Sequence, residues 1–290
     1  MTPHHTPSRR GLSAATVTLT LCAGWLLSAC QQVPAAYDQL DAMLWTQTSI
    51  EKELIFQQTY ATATAQLPLA LQDPAWDALP LLPRDLHGLP PALIVDVDET
   101  VLTNTALSAR DIRANRSFSY ERWDVWVEER KAPALPGAAD FLHRAKALGI
   151  EVFYVTNREH QQAQATFDNL RQQGMPVASP AFVLGANAPV GDCAASGYDK
   201  SCRRAWVGER YRVLMLVGDS LGDFIESASG LPAQREAARP YAHWLGQRWF
   251  VLPNPTYGDW YSAPYADDES LPEAVKRAAK HRALDVQQMD

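Results

Sequence analysis

The sequence predicts an α/β fold: a Rossmann-like parallel sheet with a small, mainly helical cap. Three observations carry this. Short apolar, β-branched runs at 92–95, 151–155 and 213–217 read as strands buried on both faces. Helical stretches separate them, the pattern of parallel strands joined by crossovers. Each run also ends in polar residues: Asp96 and Asp98 after the first, Thr156 and Asn157 after the second, Asp219 and Asp223 after the third. In open α/β sheets, sites form at these carboxyl ends.

The chain has 290 residues, 47% apolar and 20% charged, which is ordinary globular composition and enough for a core with an accessory domain. A net charge of −7 and the lack of a basic stripe argue against a nucleic-acid polymer as partner.

Residues 1–29 are expected to be an address rather than part of the fold. Arg9 and Arg10 supply a positive start, and 12–27 is an apolar run too short to span a bilayer comfortably. Leu27-Ser28-Ala29-Cys30 then fits a lipoprotein signal, with Cys30 becoming the lipidated first residue. A lipidated Cys anchors without spanning. Gln31 and Gln32 carry no acid that would signal inner-membrane retention. The residues after Arg9-Arg10 do not support a twin-arginine signal, so Sec export is expected. Cleavage removes two arginines and no acid, leaving −9. Cys193 and Cys202 then remain, nine apart in a loop-like stretch and in a compartment that permits disulfides. The spacing allows a bridge without requiring one.

Residues 30–90 read as an N-terminal helical segment. Leu40, Met43, Leu44, Leu54, Ile55 and Tyr60 give an imperfect apolar face, suited to packing on the core or to a spacer behind the anchor. The proline-rich stretch 80–91 punctuates the entry to the core. After strand 92–95, Asp96 and Asp98 stand one residue apart. Close carboxylates repel and raise each other's pKa, so the pair makes sense around a cation or a phosphoryl group. Capping of a turn or helix is the plainer alternative.

The insert 105–132 is the expected cap. Helical spacing over 111–130 puts Trp123, Trp126 and Val127 on one face, which suits packing on the core and covering a pocket alike. Pro136-Gly137 opens a helix ended by Gly149. Thr156, ahead of a helix at 159–173, offers a hydroxyl and free N–H groups to an anion, although a plain N-cap uses the same residues. Another strand is expected at 181–184. Lys200 heads a helix running to about 211, where it opposes the macrodipole at ~0.3–1 kcal/mol. A surface Lys bears that small penalty too, so position alone gives Lys200 no role and does not set it apart from Arg203 and Arg204. After strand 213–217, Gly218 permits a sharp turn, and Asp219 and Asp223 can both face the site. A final strand, 249–252, leads to Pro253-Asn254-Pro255-Thr256-Tyr257-Gly258-Asp259-Trp260, and 263–290 reads as a charged C-terminal helix.

Together these strings resemble the bacterial class C acid phosphatases of the haloacid-dehalogenase-like (HAD-like) superfamily. Asp96-Val97-Asp98-Glu99-Thr100-Val101-Leu102 with Asn104 is similar to the first motif, Thr156 to the second, Lys200 to the third, and Gly218-Asp219-Ser220-Leu221-Gly222-Asp223-Phe224 to the fourth. Dehalogenases of the superfamily lack an acid at the position of Asp98. Leu107 stands where an aromatic is usual, and Ser220 where Asn is frequent. The resemblance implies a HAD-like core at 91–104 and 133–262. It implies Mg²⁺-dependent hydrolysis of phosphate monoesters through an aspartyl-phosphate. Asp96 is then the nucleophile, Asp98 the general acid and base, and Thr156, Asn157 and Lys200 the phosphate contacts. Asp96, the backbone carbonyl of Asp98, and Asp219 hold the Mg²⁺, with Asp223 a ligand or an orienter of its waters. Trp123 and Tyr257 stack on the leaving group, which makes nucleoside 5′-monophosphates, NMN and aryl phosphates the expected substrates. Asp98 has to start protonated, so an acidic optimum is expected. The resemblance also implies an outer-membrane, lipid-anchored place in the cell envelope, and a homodimer. A phosphotransferase uses the same residues. A non-catalytic binding lipoprotein is expected to have lost one of Asp96, Asp98, Thr156, Lys200 or Asp219, and all five are present.

Overall fold

A computed structural model describes residues 38–80, 84–195, 197–226 and 228–286, together with Met1 and Thr2. Nearly all of the expected signal 1–29, and Cys30, lie outside the described residues. All elements below belong to the compact unit Val33–Asp290. Among the described residues, no helix is long and apolar enough to cross a membrane.

Five strands form one sheet: β1 (Pro91–Val95), β2 (Glu151–Glu159), β3 (Val183–Ala186), β4 (Arg212–Gly218) and β5 (Trp249–Val251), in the order β3-β2-β1-β4-β5. Every neighbouring pair is parallel. Because side chains alternate along a strand, β1 feeds two cores. Leu93 and Val95 pack on one face with Phe56, Tyr60, Phe141, Leu142 and Leu170, while Ala92 and Ile94 pack on the other with Val207, Phe224 and Trp249. Burial on both faces is why these strands read as unbroken apolar runs. In register, Val95 stands opposite Tyr154 on one side and Val217 on the other. The chains that leave β1, β2 and β4 therefore emerge side by side. Strand order reverses at β1, which opens a crevice there.

The N-terminal helices pack on the core. Ser49 divides α1 (Leu40–Thr48) from α2 (Ile50–Gln72), and its hydroxyl accepts the Lys52 N–H at 2.9 Å to start the second helix. The buried face of α2 is Phe56, Tyr60, Ala63, Leu67 and Ala70, at helical spacing. Leu40, Leu44, Leu54 and Ile55, expected on the buried face of one long helix, are exposed instead. The break at Ser49 resets the helical phase.

The insert folds as two helices, α3 (Thr105–Arg113) and α4 (Tyr120–Glu129), rather than one. Trp126 and Val127 are buried and Trp123 half-buried. Helix α5 (Ala138–Ala147) precedes β2, and Gly149 closes its end at φ 76°. Strand β2 runs past Val155 to Glu159, because Glu159 still pairs with Ala186 of β3. Helix α6 (Ala163–Gln172) starts only after β2. Thr156 thus lies in a strand extension and not at a helix N-terminus, so the anion cradle expected from free helical N–H groups does not form there. Helix α7 (Ser201–Gly208) leads into β4, and α8 (Leu231–Ala238) lies between β4 and β5. After β5 come α9 (Asp259–Ser262) and α10 (Glu273–Arg282), so among the described residues the expected helix over 263–290 is α-helical only at 273–282. Cys193 and Cys202 form a disulfide with their Cα atoms 5.5 Å apart.

Candidate active site

Asp96 follows β1 directly, and its N–H still bonds the Val217 carbonyl at 2.9 Å, which ties the ends of β1 and β4 together. Its carboxylate takes the Lys200 ammonium on one oxygen, at 2.5 Å, and the Thr100 hydroxyl on the other, at 3.1 Å. The Lys200 ammonium also donates to Asp223 at 2.6 Å. Lys200 caps α7, where the helix dipole disfavours a cation, and the two acids outweigh that cost. Burial alone would pull its pKa down, yet Asp223 and Asp96 hold it above its ordinary range. Lys200 is the cation facing these carboxylates. Arg204 turns to the Gly222 carbonyl and the Ser201 hydroxyl, and Arg203 to backbone carbonyls.

Asp219 follows β4. It accepts the Thr100 hydroxyl at 3.2 Å and the Asn254 amide at 2.7 Å. Asp223 turns back on the strand end, and one of its oxygens accepts the N–H groups of Asp219 and Ser220 at 3.1 and 2.9 Å. The approach is so close that a Cβ on Gly218 would fall 2.3 Å from that carboxylate. Gly218 is therefore needed for the space beside it and not for a turn, since it is still strand and its φ is not positive.

Carboxylate oxygens of Asp96, Asp219 and Asp223 lie within 4.8 Å of one another. Desolvation, opposed by Lys200 and reinforced by Asp223 and Asp98, raises Asp96 to about 7. Desolvation together with Asp223 and Asp96 pushes Asp219 well above the usual carboxylate range. Three carboxylates against one ammonium leave two formal negative charges. An all-oxygen donor set short of two positive charges fits a hard divalent cation.

Asp98 has a different setting. Arg158 grips it with Nε at 3.0 Å and Nη2 at 2.8 Å, the Asn104 amide donates at 2.9 Å, and the Thr156 hydroxyl at 3.1 Å. Burial would raise its pKa, but Arg158 and these bonds hold it below the ordinary range. An Asp98 that starts protonated near neutrality is therefore not what this arrangement provides. The fully buried Thr156 donates its hydroxyl to Asp98, and the side-chain oxygen of the exposed Asn157 accepts from Arg203 at 3.0 Å.

Arg158, Glu99 and Asn254 also belong to the site, although no role for them is legible in the sequence. Arg158 is buried with its guanidinium 5.7 Å from the Trp123 ring centre. Glu99 is also buried and stands at φ 55°, a conformation that costs a non-glycine residue about 1–3 kcal/mol. Its carboxylate repays this by accepting the Asn104 N–H at 2.6 Å, which closes the loop after Asp98. The Tyr257 hydroxyl donates to Glu99, leaving part of the Tyr257 ring exposed. The Trp126 indole N–H bonds Asn104 at 2.8 Å, so the cap is tied to the same loop. The chain offers two signals: Glu99 is a third acid in four residues, and Arg158 is a cation three residues past the apolar run 151–155.

The chain belongs to the HAD superfamily, subfamily IIIB (Acid phosphatase), whose family model matches residues 13–260. It is similar to the class C acid phosphatase from Bacillus anthracis: 29% identity and a TM-score of 0.76, covering 87% of this chain and 99% of that one. The same Bacillus protein with tungstate bound matches with a TM-score of 0.77 at 29% identity, over 88% of this chain and 100% of that one. Acid phosphatase 1 of Solanum lycopersicum is 28% identical over 164 residues, 57% of each chain. The stem 28 kDa glycoprotein of Glycine max is 24% identical over 175 residues, 60% of this chain and 63% of the other. The chain thus spans less than two thirds of the length of these two plant relatives.

Proposed function

We propose that the protein is an acid phosphatase that hydrolyses phosphate monoesters through an aspartyl-phosphate on Asp96. One observation supports this above the others. A carboxylate in a cluster fit for a divalent metal stands two residues from a second acid that has its own guanidinium and hydroxyl partners. In the first step an Asp96 oxygen attacks phosphorus, the bond from phosphorus to the leaving oxygen breaks, and Asp98 gives that oxygen its proton. In the second, Asp98 takes a proton from water, the water oxygen attacks phosphorus, and the Asp96–phosphate bond breaks to release phosphate. Two displacements replace one difficult one. Lys200 and Thr156 would turn from Asp96 and Asp98 towards the phosphoryl oxygens, where positioned charge does most of the work of phosphoryl transfer. Mg²⁺ held by Asp96, Asp219, the Asp98 carbonyl and Asp223 would supply neutralisation of charge on those oxygens. Tungstate is a tetrahedral oxyanion like phosphate, and its binding to the Bacillus relative supports the same ligand chemistry here.

Trp123 and Tyr257 make nucleoside 5′-monophosphates, NMN and aryl phosphates the proposed substrates. Lipid anchoring through Cys30 in the outer membrane rests on the sequence at 27–30, and homodimerisation rests on the family resemblance, with size-exclusion chromatography as its check. The test of activity is p-nitrophenyl phosphate hydrolysis at about pH 5.5 by the detergent-solubilised full chain, with Mg²⁺ or EDTA, and with glycerol as an alternative acceptor. Metal-dependent release of nitrophenol and inorganic phosphate is expected. A folded protein with no turnover under any divalent metal returns the reading to a binding lipoprotein. Glycerol phosphate as the main product makes it a phosphotransferase.

A further inference from the structure

Arg203 is wholly buried, yet among the described residues its guanidinium meets no carboxylate within ion-pair distance. Nη1 donates to the carbonyls of Thr156 and Leu184, at 2.5 and 3.3 Å. Nη2 donates to the Asn157 side chain at 3.0 Å and to the carbonyls of Tyr198 and Asp199 at 3.2 and 3.1 Å. One rigid fork therefore joins three segments: the extension of β2, the strand β3 beside it, and the turn that delivers Lys200. Burying a charge is costly, and an apolar side chain could fill the same space more cheaply. The charge brings a planar set of donors that fixes carbonyls in a set relation to one another. The backbone it holds carries Thr156 on one side and leads into Lys200 on the other. The preceding residue, Cys202, is bound by disulfide to Cys193, which restrains the same turn.

We propose that Arg203 is a positioning residue that sets Thr156 and Lys200 at the separation at which both reach one phosphoryl group. It acts through backbone and does not touch the substrate. The inference rests on the phosphomonoester reading above, in which these two residues contact phosphate.

The experiment measures tungstate inhibition and kcat of the full-length protein in detergent, with folding followed by circular dichroism. Thr156→Ala and Lys200→Ala come first, and each is expected to raise the tungstate Ki about tenfold or more. If neither does, the phosphate contacts are misassigned and the proposal falls with them. Given that loss, Arg203→Met is expected to raise Ki about tenfold and lower kcat about a hundredfold. Added to the Thr156→Ala/Lys200→Ala double variant, it should cost less than about threefold more, because the groups it places are gone. A Ki and kcat within twofold of wild type, or an undiminished loss in the double background, overturns the proposal. Should Arg203→Met fail to fold, Arg203→Lys carries the same comparison, since it keeps the buried charge and loses the fork. Its expected result is the loss seen for Met, and wild-type behaviour overturns the proposal.

Discussion

Asp96 lies with Asp219, Asp223 and one shared ammonium, and its carboxyl is raised to about 7; Asp98, two residues on, lies under Arg158 and is held below the ordinary range. Asp96 is buried and Asp98 partly so, and desolvation pushes both upward. What differs is the partner. Lys200 divides one positive charge between Asp96 and Asp223, whereas Arg158 gives Asp98 two N–H groups of its own. In the proposed mechanism Asp96 attacks as a carboxylate, so it needs further positive charge, which a divalent cation would bring. The proposed general acid must be protonated, and an Asp98 held low is protonated only in acid. Arg158 would thereby account for the acidic optimum that the family resemblance implies, in place of an Asp98 that is already protonated near neutrality.

The largest expected effect separates the two acids. Asp96→Asn should abolish turnover, a loss on the order of 10⁴-fold or more. Asp98→Asn should cost about 10²–10⁴-fold in kcat/KM for glycerol phosphate but less for p-nitrophenyl phosphate, whose leaving group needs no proton. Equal losses on the two substrates would remove Asp98 from leaving-group protonation.

Next comes the partner of Asp98. Without the guanidinium, the Asp98 pKa rises and the acid stays protonated to higher pH. Arg158→Gln should therefore move the alkaline limb of the kcat/KM profile to higher pH. An unmoved limb would assign that limb to another group.

Metal removal tests the Asp96 side. A carboxyl raised in the folded state lends stability below the ordinary carboxylate range, and this is lost as pH rises towards about 7. For Asp98 the sign is opposite: its contribution is present above the ordinary range and lost as pH falls through its lowered pKa. The EDTA-treated protein should therefore melt lower at pH 7 than at pH 5. Mg²⁺ should restore about 5 °C at pH 7 and less at pH 5, where protons compete for the same oxygens. Calorimetric scans insensitive to metal at both pH values would discard the cluster as a metal site.

The smallest effect concerns the side on which the leaving group lies. Trp123 sits beside Arg158, on the Asp98 side of the site. Trp123→Ala is expected to raise KM a few-fold for aryl phosphates and hardly at all for glycerol phosphate, the scale of one aromatic contact. Equal changes would take Trp123 out of the pocket.

The parallel sheet can be read along the chain, because strands buried on both faces must be apolar throughout, and so can the strand ends, because two acids after such a run have no place in a core. Asp96, Asp219 and Asp223 come together as the order of strands implied, Lys200 joins them as the family resemblance implied, and Thr156 lands on Asp98 beside them. The charge states, and the carbonyls that Arg203 meets instead, follow from the folded packing. Arg158 reaches Asp98 across 60 positions of chain, and Lys200 reaches Asp96 across 104. Nothing local distinguishes Lys200, which meets carboxylates, from Arg203, which meets carbonyls three residues later. The left-handed Glu99, the contact with Asp223 that requires Gly218, and the Cys193–Cys202 bond join residues only five to nine apart, but no hydrophobic period or backbone preference announces them. Backbone preference and hydrophobic period act over a few residues and can be read along the chain. Ionisation depends on which groups share a buried volume, and that exists only once the sheet has brought its strand ends together.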